Sequence, residues 1–335
     1  MPVVPSNSNS RVLVTGANGY VASWIVRTLL EQGYIVRGTV RSASKGKQLK
    51  EIFASYGDKF EWVVVNDITK DGILDECVKD VDAIEHTASP VCPENQEDPQ
   101  GKSSVKRVVL TSSAAALLRT FTGYTVIDET CWGDEYVKII EEIGAKAPWI
   151  IKYMASKTLA ERAAWDFYEK HKASIGWEMV VLNPTHVLGP SLQDFEKLGE
   201  ETLSLQRWYS YACLEQSDDN LKSTWAYVDV RDVAAAHVES IKKEAAGGER
   251  ILLSADSSTW QETRNLMFSL RPDLYRKGLL SRGNPELKSE VLLVFNSKKA
   301  KNILGIEYRS LQESTIATIE EYEKRGLLDQ IHRVE

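Results

Sequence analysis

The stretch RVLVTGANGYVASWIV at residues 11–26 decides the fold of this chain. A β-branched run, RVLVT, leads into Gly16 and Gly19, and a helical pattern then extends to Gln32. Glycines permit a tight turn with a close backbone approach, and the amino end of a helix offers N–H groups and a partial positive charge. The stretch therefore predicts a strand–turn–helix unit that binds the pyrophosphate of a dinucleotide. An ordinary turn before a helix is the alternative interpretation.

The same alternation of strands and helices continues to about residue 185. Further strand-like runs lie at 34–40, 60–65, 81–88, 105–111 and 177–182. A long helical pattern covers about residues 153–172. Strands that alternate with helices form βαβ units, in which the strands are parallel and helices cover the sheet. The pattern predicts an α/β fold with a Rossmann-type, doubly wound sheet of six parallel strands.

The composition argues against several classes of function. The 335 residues include 41 Lys and Arg against 48 Asp and Glu, a net charge of -7 without a basic block, so a nucleic-acid partner is not expected. The cysteines form no CxxC pair and indicate free thiols in a reducing compartment; they are Cys77, Cys92, Cys131 and Cys213. No leader pattern and no apolar run of about 18 residues is present, so we expect a cytoplasmic protein without a membrane partner.

The end of the second predicted strand indicates which dinucleotide binds. An NAD site usually has Asp or Glu at this point, whereas a 2′-phosphate requires Arg. Here the strand ends at Arg41, Lys45 and Lys47 follow, and the first acid is Glu51. Arg41 can direct two N–H groups onto phosphate oxygens, and Lys45 adds a point charge. The pattern favours NADPH; a solvated basic loop is the alternative.

A YxxxK pattern, YMASK at 153–157, begins the long helix and indicates catalysis. Its spacing places Tyr153 and Lys157 on one helix face. The ammonium stabilises a developing phenolate, so Tyr153 can act as the general acid for a carbonyl oxygen that receives a hydride. Ser113, preferred to Ser112, follows the fifth strand and can hydrogen-bond the substrate carbonyl or the Tyr153 hydroxyl. An exposed helical pair and a helix-capping serine are the alternatives.

The change of pattern after residue 185 predicts a second unit. We expect a flexible N-terminus at 1–10, an NADPH-binding Rossmann domain at 11–185 and a mainly substrate-binding region at 186–335. A strand and a helix near 224–243 are expected to return to the first domain.

The ordered motifs of the chain resemble one protein family from about residue 11 to about residue 320. They are VTGANGYVASWIV, YIVRGTVRS, HTASPV, RVVLTSSAAA, VIDETCW, YMASKTLAERAAW, NPTHVLGP and YVDVRDVAAAHV. They are similar to motifs of the extended short-chain dehydrogenase/reductases. Within that family they are most similar to the dihydroflavonol-reductase-like group, which includes fungal and yeast NADPH-dependent carbonyl, aldehyde and methylglyoxal reductases.

The resemblance implies a site residue by residue. The implied catalytic set is Ser113, Tyr153 and Lys157. The implied cofactor contacts are Gly16, Asn18, Gly19, Tyr20 and Val21 at the pyrophosphate, Arg41 and Lys45 at the 2′-phosphate, Asp67 and Ile68 beside the adenine, Thr87, Ala88 and Ser89 along the middle, Tyr153 and Lys157, and Pro184, Thr185 and Val187 at the nicotinamide carboxamide.

Two departures from the group concern the substrate. Leu118 stands where plant flavonoid reductases have a polar substrate-binding residue, and Ala226 precedes Tyr227 at a second lining position. A smaller or more apolar carbonyl compound is therefore expected. His86 and His186 lack nearby carboxylate spacing, so no metal is expected.

The leading hypothesis is NADPH-dependent reduction of an aldehyde or ketone by a monomer or homodimer. Oxidation of an alcohol, or epimerisation of a nucleotide sugar, would use the same residues. A non-catalytic regulator that senses the dinucleotide is a further alternative, although it would be expected to have lost the YxxxK pattern.

The connection SPVCPENQEDPQGKSS at 89–104 departs from the group in a different way. Prolines and a glycine interrupt it, and it has no apolar stripe with a helical period, so a packed helix is not expected. Members of the family that the chain resembles carry a helix of several turns in this stretch, and about twenty residues are missing from it here. We therefore expect either lower stability than in relatives or an apolar strip of sheet that is buried by self-association.

Overall fold

The computed structural model describes residues 3–7, 9–88, 104–195, 197 and 199–328. Its strands are β1 (Arg11–Thr15), β2 (Ile35–Val40), β3 (Phe60–Val64), β4 (Ala83–His86), β5 (Arg107–Thr111), β6 (Thr125–Ile127), β7 (Glu178–Pro184), β8 (His186–Leu188), β9 (Thr224–Asp229), β10 (Arg250–Leu253), β11 (Asp256–Thr259) and β12 (Leu293–Phe295). Its α-helices are α1 (Tyr20–Glu31), α2 (Ala43–Ile52), α3 (Asp134–Ile143), α4 (Trp149–His171), α5 (Leu203–Cys213), α6 (Asp218–Lys222), α7 (Val230–Lys242), α8 (Trp260–Leu270), α9 (Pro272–Arg276), α10 (Lys298–Leu304) and α11 (Leu311–Lys324). Short 3₁₀ turns lie at Ala54–Lys59, Ala114–Ala116, Gly144–Lys146 and Glu244–Ala246.

The central layer is a parallel sheet of seven strands in the order β10-β7-β5-β4-β1-β2-β3. This confirms the predicted doubly wound α/β fold, with one strand more than the six expected. The additional strand, β10, was missed because its run RILL is short and lies where the pattern had become irregular. The strand order reverses between β1 and β4, and a crevice is expected at the carboxyl ends of strands on either side of such a point.

Two smaller sheets lie outside the central one. Strands β8, β9 and β11 form a three-stranded sheet, and β6 pairs with β12. A strand and a helix near 224–243 were expected to return to the first domain. The helix, α7, does pack against α1, whereas the strand, β9, belongs to the three-stranded sheet. The division into two domains stays a prediction. No helix among the described residues is both long enough and apolar enough to cross a membrane.

Helix α4 carries the YxxxK pattern and begins earlier than predicted. The prediction placed its start at about residue 153, but the first helical residue is Trp149. Pro148 immediately precedes the helix, and its carbonyl accepts hydrogen bonds from the N–H groups of Ile151 and Lys152 at 3.1 and 3.2 Å. Tyr153 therefore lies in the second helical turn, where the backbone is held on both sides. This start places the tyrosine on a rigid element.

Most of the connection at 89–104 lies outside the described residues, which resume at Ser104. The two strands that the connection joins, β4 and β5, share with β1 an apolar row of Leu13, Ile84 and Val108. Leu13 is fully buried, whereas Ile84 and Val108 are only half-buried. The stability and self-association expected from the short connection stay predictions.

Inserting a helix-forming crossover after Gln100 is expected to raise the melting temperature by roughly 10 °C. Covering roughly 200 Å² of apolar surface contributes about 5 kcal/mol, and each kcal/mol shifts the midpoint by about 2–4 °C. Thermal melts and sedimentation measure the effect, with a Gly/Ser insertion of equal length as the control. A monomer whose melting temperature neither insertion raises would contradict the prediction.

Candidate active site

The turn between β1 and α1 lies at the strand-order reversal and has the geometry of a phosphate site. Gly16 has φ +63°, in the left-handed region, and a Cβ there would lie 3.4 Å from Ala88. Gly19 closes the turn, because its N–H donates to the Gly16 carbonyl at 2.8 Å. On the other side, a Cβ at Gly38 of β2 would lie 2.7 Å from the Ala17 side chain. The backbone of the turn is therefore packed between its two neighbouring strands.

Two threonines that the sequence analysis did not assign hold this turn in place. The Thr15 hydroxyl accepts the N–H groups of Thr87 and Ala88, each at 3.1 Å. The Thr39 hydroxyl accepts the Gly16 N–H at 3.0 Å, and the Thr39 carbonyl accepts the Ala17 N–H at 2.8 Å. Both contacts join residues far apart in the sequence, so no local pattern indicated them.

The amino end of α1 is open to an anion. Gly19 precedes the helix without a side-chain cap, and the first turn contains no acidic residue. The Tyr20 side chain is buried and its hydroxyl donates to the Gly189 carbonyl at 2.6 Å, so among its polar groups the backbone N–H is left for a phosphate. Gln193 donates from its side chain to the Asn18 carbonyl at 2.6 Å and joins the turn to the segment after β8.

Two cations lie beyond the end of β2. Arg41 and Lys45 are both exposed, and neither has an ion-pair or hydrogen-bond partner within the described part of the chain. Lys45 and Asn18 line the same crevice of about 110 Å³, which Gln193 also lines. The structure thus brings the basic start of α2 to the phosphate turn. Carboxylates are present as well, because Asp194 and Glu200 line the same crevice.

The remaining cofactor residues of the prediction follow other strands of the sheet. Asp67 follows β3, and hydrogen bonds from the Thr69 hydroxyl and N–H, at 2.6 and 3.1 Å, lower the pKa of its carboxyl group. Ile68 is half-buried next to it. Thr87 and Ala88 lie on the turn as described above, and Ser89 lies outside the described residues.

The segment at the end of β7 is held against β10. Pro184 ends β7, and the Thr185 N–H donates to the Leu253 carbonyl at 2.9 Å. Val187 is buried in β8, where it pairs with Val228. These three residues of the predicted nicotinamide contact therefore lie where the central sheet meets the three-stranded sheet.

Tyr153 and Lys157 lie together on α4. The Tyr153 side chain is 39% exposed, and the Lys157 ammonium lies 5.9 Å from the centroid of the Tyr153 ring. Burial lowers the pKa of Lys157, and the carboxylate of Glu161 one turn later opposes that shift. Burial and the nearby Lys157 lower the pKa of His86 to about 4, so its imidazole is neutral. The pair therefore combines an accessible phenol with a partly desolvated cation.

The two serines after β5 have different environments. Ser112 is buried and its hydroxyl donates to Glu161 at 2.5 Å. Ser113 is half-buried, and its hydroxyl accepts the Ala115 N–H at 3.1 Å, which caps the 3₁₀ turn at Ala114–Ala116. That turn packs against α4. A capping bond leaves the Ser113 hydroxyl proton free to donate, so the geometry is compatible with both interpretations of this serine.

The predicted substrate-lining residues are mostly covered. Leu118 is half-buried against the cluster that contains Ala114 and Leu252. Ala226 and Tyr227, on β9, are 6% and 5% exposed. Their contact with substrate stays a prediction.

His186 is enclosed by aromatic rings rather than by metal ligands. Its ring lies 5.4 Å from that of Trp225 and 6.2 Å from that of Trp260, nearly perpendicular to both. Burial, with a smaller contribution from Arg207, lowers its pKa to about 3. No group of three His, Cys, Asp or Glu side chains among the described residues could hold a metal ion. The described cysteines, Cys77, Cys131 and Cys213, are free thiols, and Cys92 lies outside the described residues.

Replacing His186 with Phe is expected to make stability less sensitive to acid. Because the pKa of His186 is lower in the folded protein, the unfolded chain binds a proton at a higher pH than the folded one does. The contribution of His186 to the free energy of unfolding is therefore complete above about pH 6.5 and is lost as the pH falls towards about 3. At pH 5 the loss is about 2 kcal/mol relative to neutral pH. Urea unfolding of both proteins between neutral pH and pH 5 measures the difference, and parallel stability curves would contradict the assignment.

Comparison with known proteins identifies the family. The NAD dependent epimerase/dehydratase family matches residues 12–253. The chain belongs to this family. Among its members, the NADPH-dependent methylglyoxal reductase of Saccharomyces cerevisiae is 32% identical over 337 residues, covering 90% of this chain and 95% of that protein. Cinnamoyl-CoA reductase 1 of Arabidopsis thaliana is 34% identical, covering 98% and 94%.

A solved structure in the epimerase/dehydratase family supports the same placement. The crystal structure of yeast methylglyoxal/isovaleraldehyde reductase Gre2 complexed with NADPH superposes with a TM-score of 0.77 at 28% identity, covering 94% of this chain and 99% of that one. The resemblance to the extended short-chain dehydrogenase/reductases, dihydroflavonol-reductase-like group, is thereby confirmed.

The residues present fit an NADP-type dinucleotide. The turn at Gly16 has a positive φ that favours glycine and passes close to Ala88, in keeping with the close backbone approach that a pyrophosphate requires. The uncapped start of α1 offers N–H groups, and Arg41 and Lys45, which have no partner in the described part of the chain, offer positive charge, as the phosphates of such a cofactor require.

Proposed function

We propose that this chain is an NADPH-dependent carbonyl reductase that converts an aldehyde or ketone to an alcohol. One observation carries the proposal: an exposed tyrosine beside a lysine lies on the same edge of the sheet as a glycine turn followed by two cations that have no partner among the described residues. The Tyr153–Lys157 pair alone could be an exposed helical pair, and the glycine turn alone could be an ordinary turn before a helix. Together they support a proton donor and a dinucleotide site at one topological switch point. The relatives whose names state reductase activity support the same conclusion.

The cofactor is held by the residues described above: the turn at Gly16–Gly19 for the pyrophosphate, and Arg41 with Lys45 for the 2′-phosphate. When bound, NADPH supplies the hydride that reduces the carbonyl carbon. The protein's own part is proton delivery and electrostatics. Tyr153 donates its phenolic proton to the carbonyl oxygen, and the Lys157 ammonium stabilises the phenolate that remains. Ser113 donates a hydrogen bond to the same oxygen and orients it.

The substrate is a small-molecule carbonyl compound of modest size or apolar character. Leu118 cannot hydrogen-bond a flavonoid hydroxyl at the position where plant flavonoid reductases have a polar residue. Flavonoid substrates therefore gain no binding energy from this position. We place the protein in the cytoplasm, since free thiols suit a reducing compartment. We expect a monomer or homodimer as the working unit.

The experiment that tests this function is NADPH oxidation by the purified protein against a panel of aldehydes, diketones and ketoesters, with nucleotide sugars in a separate arm. Oxidation that depends on a carbonyl compound and is lost in Tyr153→Phe is the expected result. Conversion of a nucleotide sugar without net NADPH consumption would assign epimerisation instead. Tight NADPH binding without turnover of any carbonyl compound would indicate a dinucleotide-sensing regulator.

A further inference from the structure

Beneath the proposed catalytic residues, α4 carries a buried carboxylate with polar partners on three strands. Glu161 lies one turn after Lys157, and only 1% of it is exposed. It accepts a hydrogen bond from the Ser112 hydroxyl at 2.5 Å and another from the Asn183 side-chain amide at 2.6 Å. The Arg250 guanidinium forms an ion pair with it. Glu161 therefore ties the helix to residues at the ends of β5, β7 and β10.

Its partners extend the network to the backbone of the proposed catalytic serine. The same amide of Asn183 donates to the Ser113 carbonyl at 3.1 Å. Ser113 is thus held at two points. The preceding residue, Ser112, is hydrogen-bonded to Glu161, and the Ser113 carbonyl accepts a hydrogen bond from Asn183. A change in the position of Glu161 would reach Ser113 by two routes, one through the adjacent Ser112 and one through Asn183.

Arg250 is fixed independently of Glu161. It donates to the Glu129 and Cys131 carbonyls at 2.9 and 2.6 Å, and its guanidinium lies 3.6 Å from the centroid of the Trp132 ring. The Glu129 side chain in turn accepts the Leu252 N–H at 3.0 Å. Because the cation cannot follow a displaced partner, it defines where the Glu161 carboxylate lies.

Stability alone is a poor reason for such a network. A buried ion pair must offset the desolvation of both charges, and well-packed apolar residues of similar volume often stabilise a fold equally well. What polar partners add is direction, because hydrogen bonds fix angles and distances that apolar packing leaves looser. At one end the network hydrogen-bonds the backbone of Ser113, and at the other end Glu161 lies one helical turn from Lys157.

We propose that Glu161 is a positioning residue, which holds the Ser113 hydroxyl and the Lys157 ammonium in register with the Tyr153 phenol. The inference rests on the proposed function, since it concerns the same three side chains. It adds a fourth residue that touches neither substrate nor cofactor. Its effect is expected in the chemical step, because a misplacement of about 1 Å near the reacting groups can cost about 100-fold in rate.

The test uses the double variant Glu161→Gln/Arg250→Met in the full chain. Changing Glu161 alone would leave Arg250 buried and unpaired, and that could unfold the protein. The double change removes both charges together. The expected result is a kcat at least about tenfold below that of the unmodified protein, a smaller rise of the NADPH dissociation constant, because Lys157 is displaced rather than removed, and a retained cooperative melt.

The matched control is Glu178→Gln. Glu178 pairs with the buried Arg107 at 2.8 Å and joins the same two strands, β5 and β7, at their opposite ends. Glu178 is half-exposed and Arg107 keeps its hydrogen bonds to the Ser240 and Lys243 carbonyls, so the change breaks an ion pair far from the proposed site without leaving the buried arginine without a partner, and kcat should be unchanged. Ser112→Ala serves as a second variant, because it removes one hydrogen bond to Glu161 without leaving a buried charge unpaired. A loss of kcat of at least about threefold is expected, which corresponds to the free energy of about one hydrogen bond.

A measurement that does not depend on turnover accompanies the kinetics. Titration of Lys157 by NMR in ε-labelled protein should show a lower pKa in the double variant, because burial already lowers it and Glu161, unlike Arg250, is a charge that acts on Lys157 and opposes that shift. The charged or titratable groups coupled to this pair in the described residues are Tyr153 on the same helix, His86 on β4 and Arg250 on β10. Glu178→Gln should leave the Lys157 pKa unchanged.

The outcomes separate the two proposals. A kcat within twofold of the unmodified protein in the double variant, or in Ser112→Ala if the double variant does not fold, would overturn the positioning role, as would an unmoved Lys157 pKa. An unmodified protein that reduces no carbonyl compound would overturn the proposed function instead, and the NMR titration would still decide whether Glu161 acts on Lys157.

Discussion

Replacing Tyr153 with Phe is expected to lower kcat for carbonyl reduction at least about 100-fold, which is the range that a positioned general acid contributes. The change removes one oxygen from an exposed side chain, so folding and NADPH affinity should be nearly unaffected. Steady-state kinetics together with fluorescence titration of NADPH separate the two effects. Retention of more than about a tenth of the rate would mean that another group donates the proton.

The matched control is Tyr168→Phe. Tyr168 lies on the same helix but is buried away from the site, against Trp165 and Trp177. The same chemical change there should leave kcat within about twofold of the unmodified protein. A comparable loss in both variants would point to a disturbed helix rather than to a lost acid.

Lys157→Ala is expected to differ from Tyr153→Phe in one respect. Both kcat and NADPH affinity should fall, since the ammonium stabilises the phenolate and the resemblance places it beside the nicotinamide ribose. A variant that loses rate but binds NADPH normally would restrict Lys157 to the electrostatic role.

NADPH is expected to bind at least about tenfold more tightly than NADH. Charge-assisted hydrogen bonds to a 2′-phosphate contribute about 1.5–3 kcal/mol each, and tenfold requires about 1.4 kcal/mol. Arg41 is exposed and has no protein partner among the described residues, so its guanidinium is available to such a phosphate. Arg41→Ala should therefore remove most of the preference by weakening NADPH binding alone.

The control for this prediction is Lys47→Ala. Lys47 is an exposed cation on α2, the helix that begins two residues after Arg41, but is not among the residues implied at the 2′-phosphate. Its loss should change both cofactor affinities little and equally. Equal affinities for NADPH and NADH in the unmodified protein would refute the assignment of Arg41. A preference that survives Arg41→Ala would transfer the role to Lys45.

The sequence alone predicted the central architecture well because its signals were local. The β-branched run before Gly16 and the helix after it needed no distant contact to be recognised. The start of α4 was placed four residues late, since the WIIK segment has no helical period of its own; its first turn is recognised by the hydrogen bonds from the Ile151 and Lys152 N–H groups to the Pro148 carbonyl. Strand β10 has four residues and is recognisable as a strand through its pairing with β7.

What the sequence by itself determined is the set of chemical groups: the glycine turn, the basic residues after β2, and the Tyr153–Lys157 spacing, all of which follow from the neighbours of each residue along the chain. What only the tertiary structure decided is which groups are free and which are already bonded. Ser112 and Ser113 are adjacent and identical in type, yet Ser112 is bonded to Glu161, which is 49 positions away. Such a bond depends on the folded arrangement of β5, β7 and α4, and burial then makes it strong, so no local pattern could distinguish the two serines.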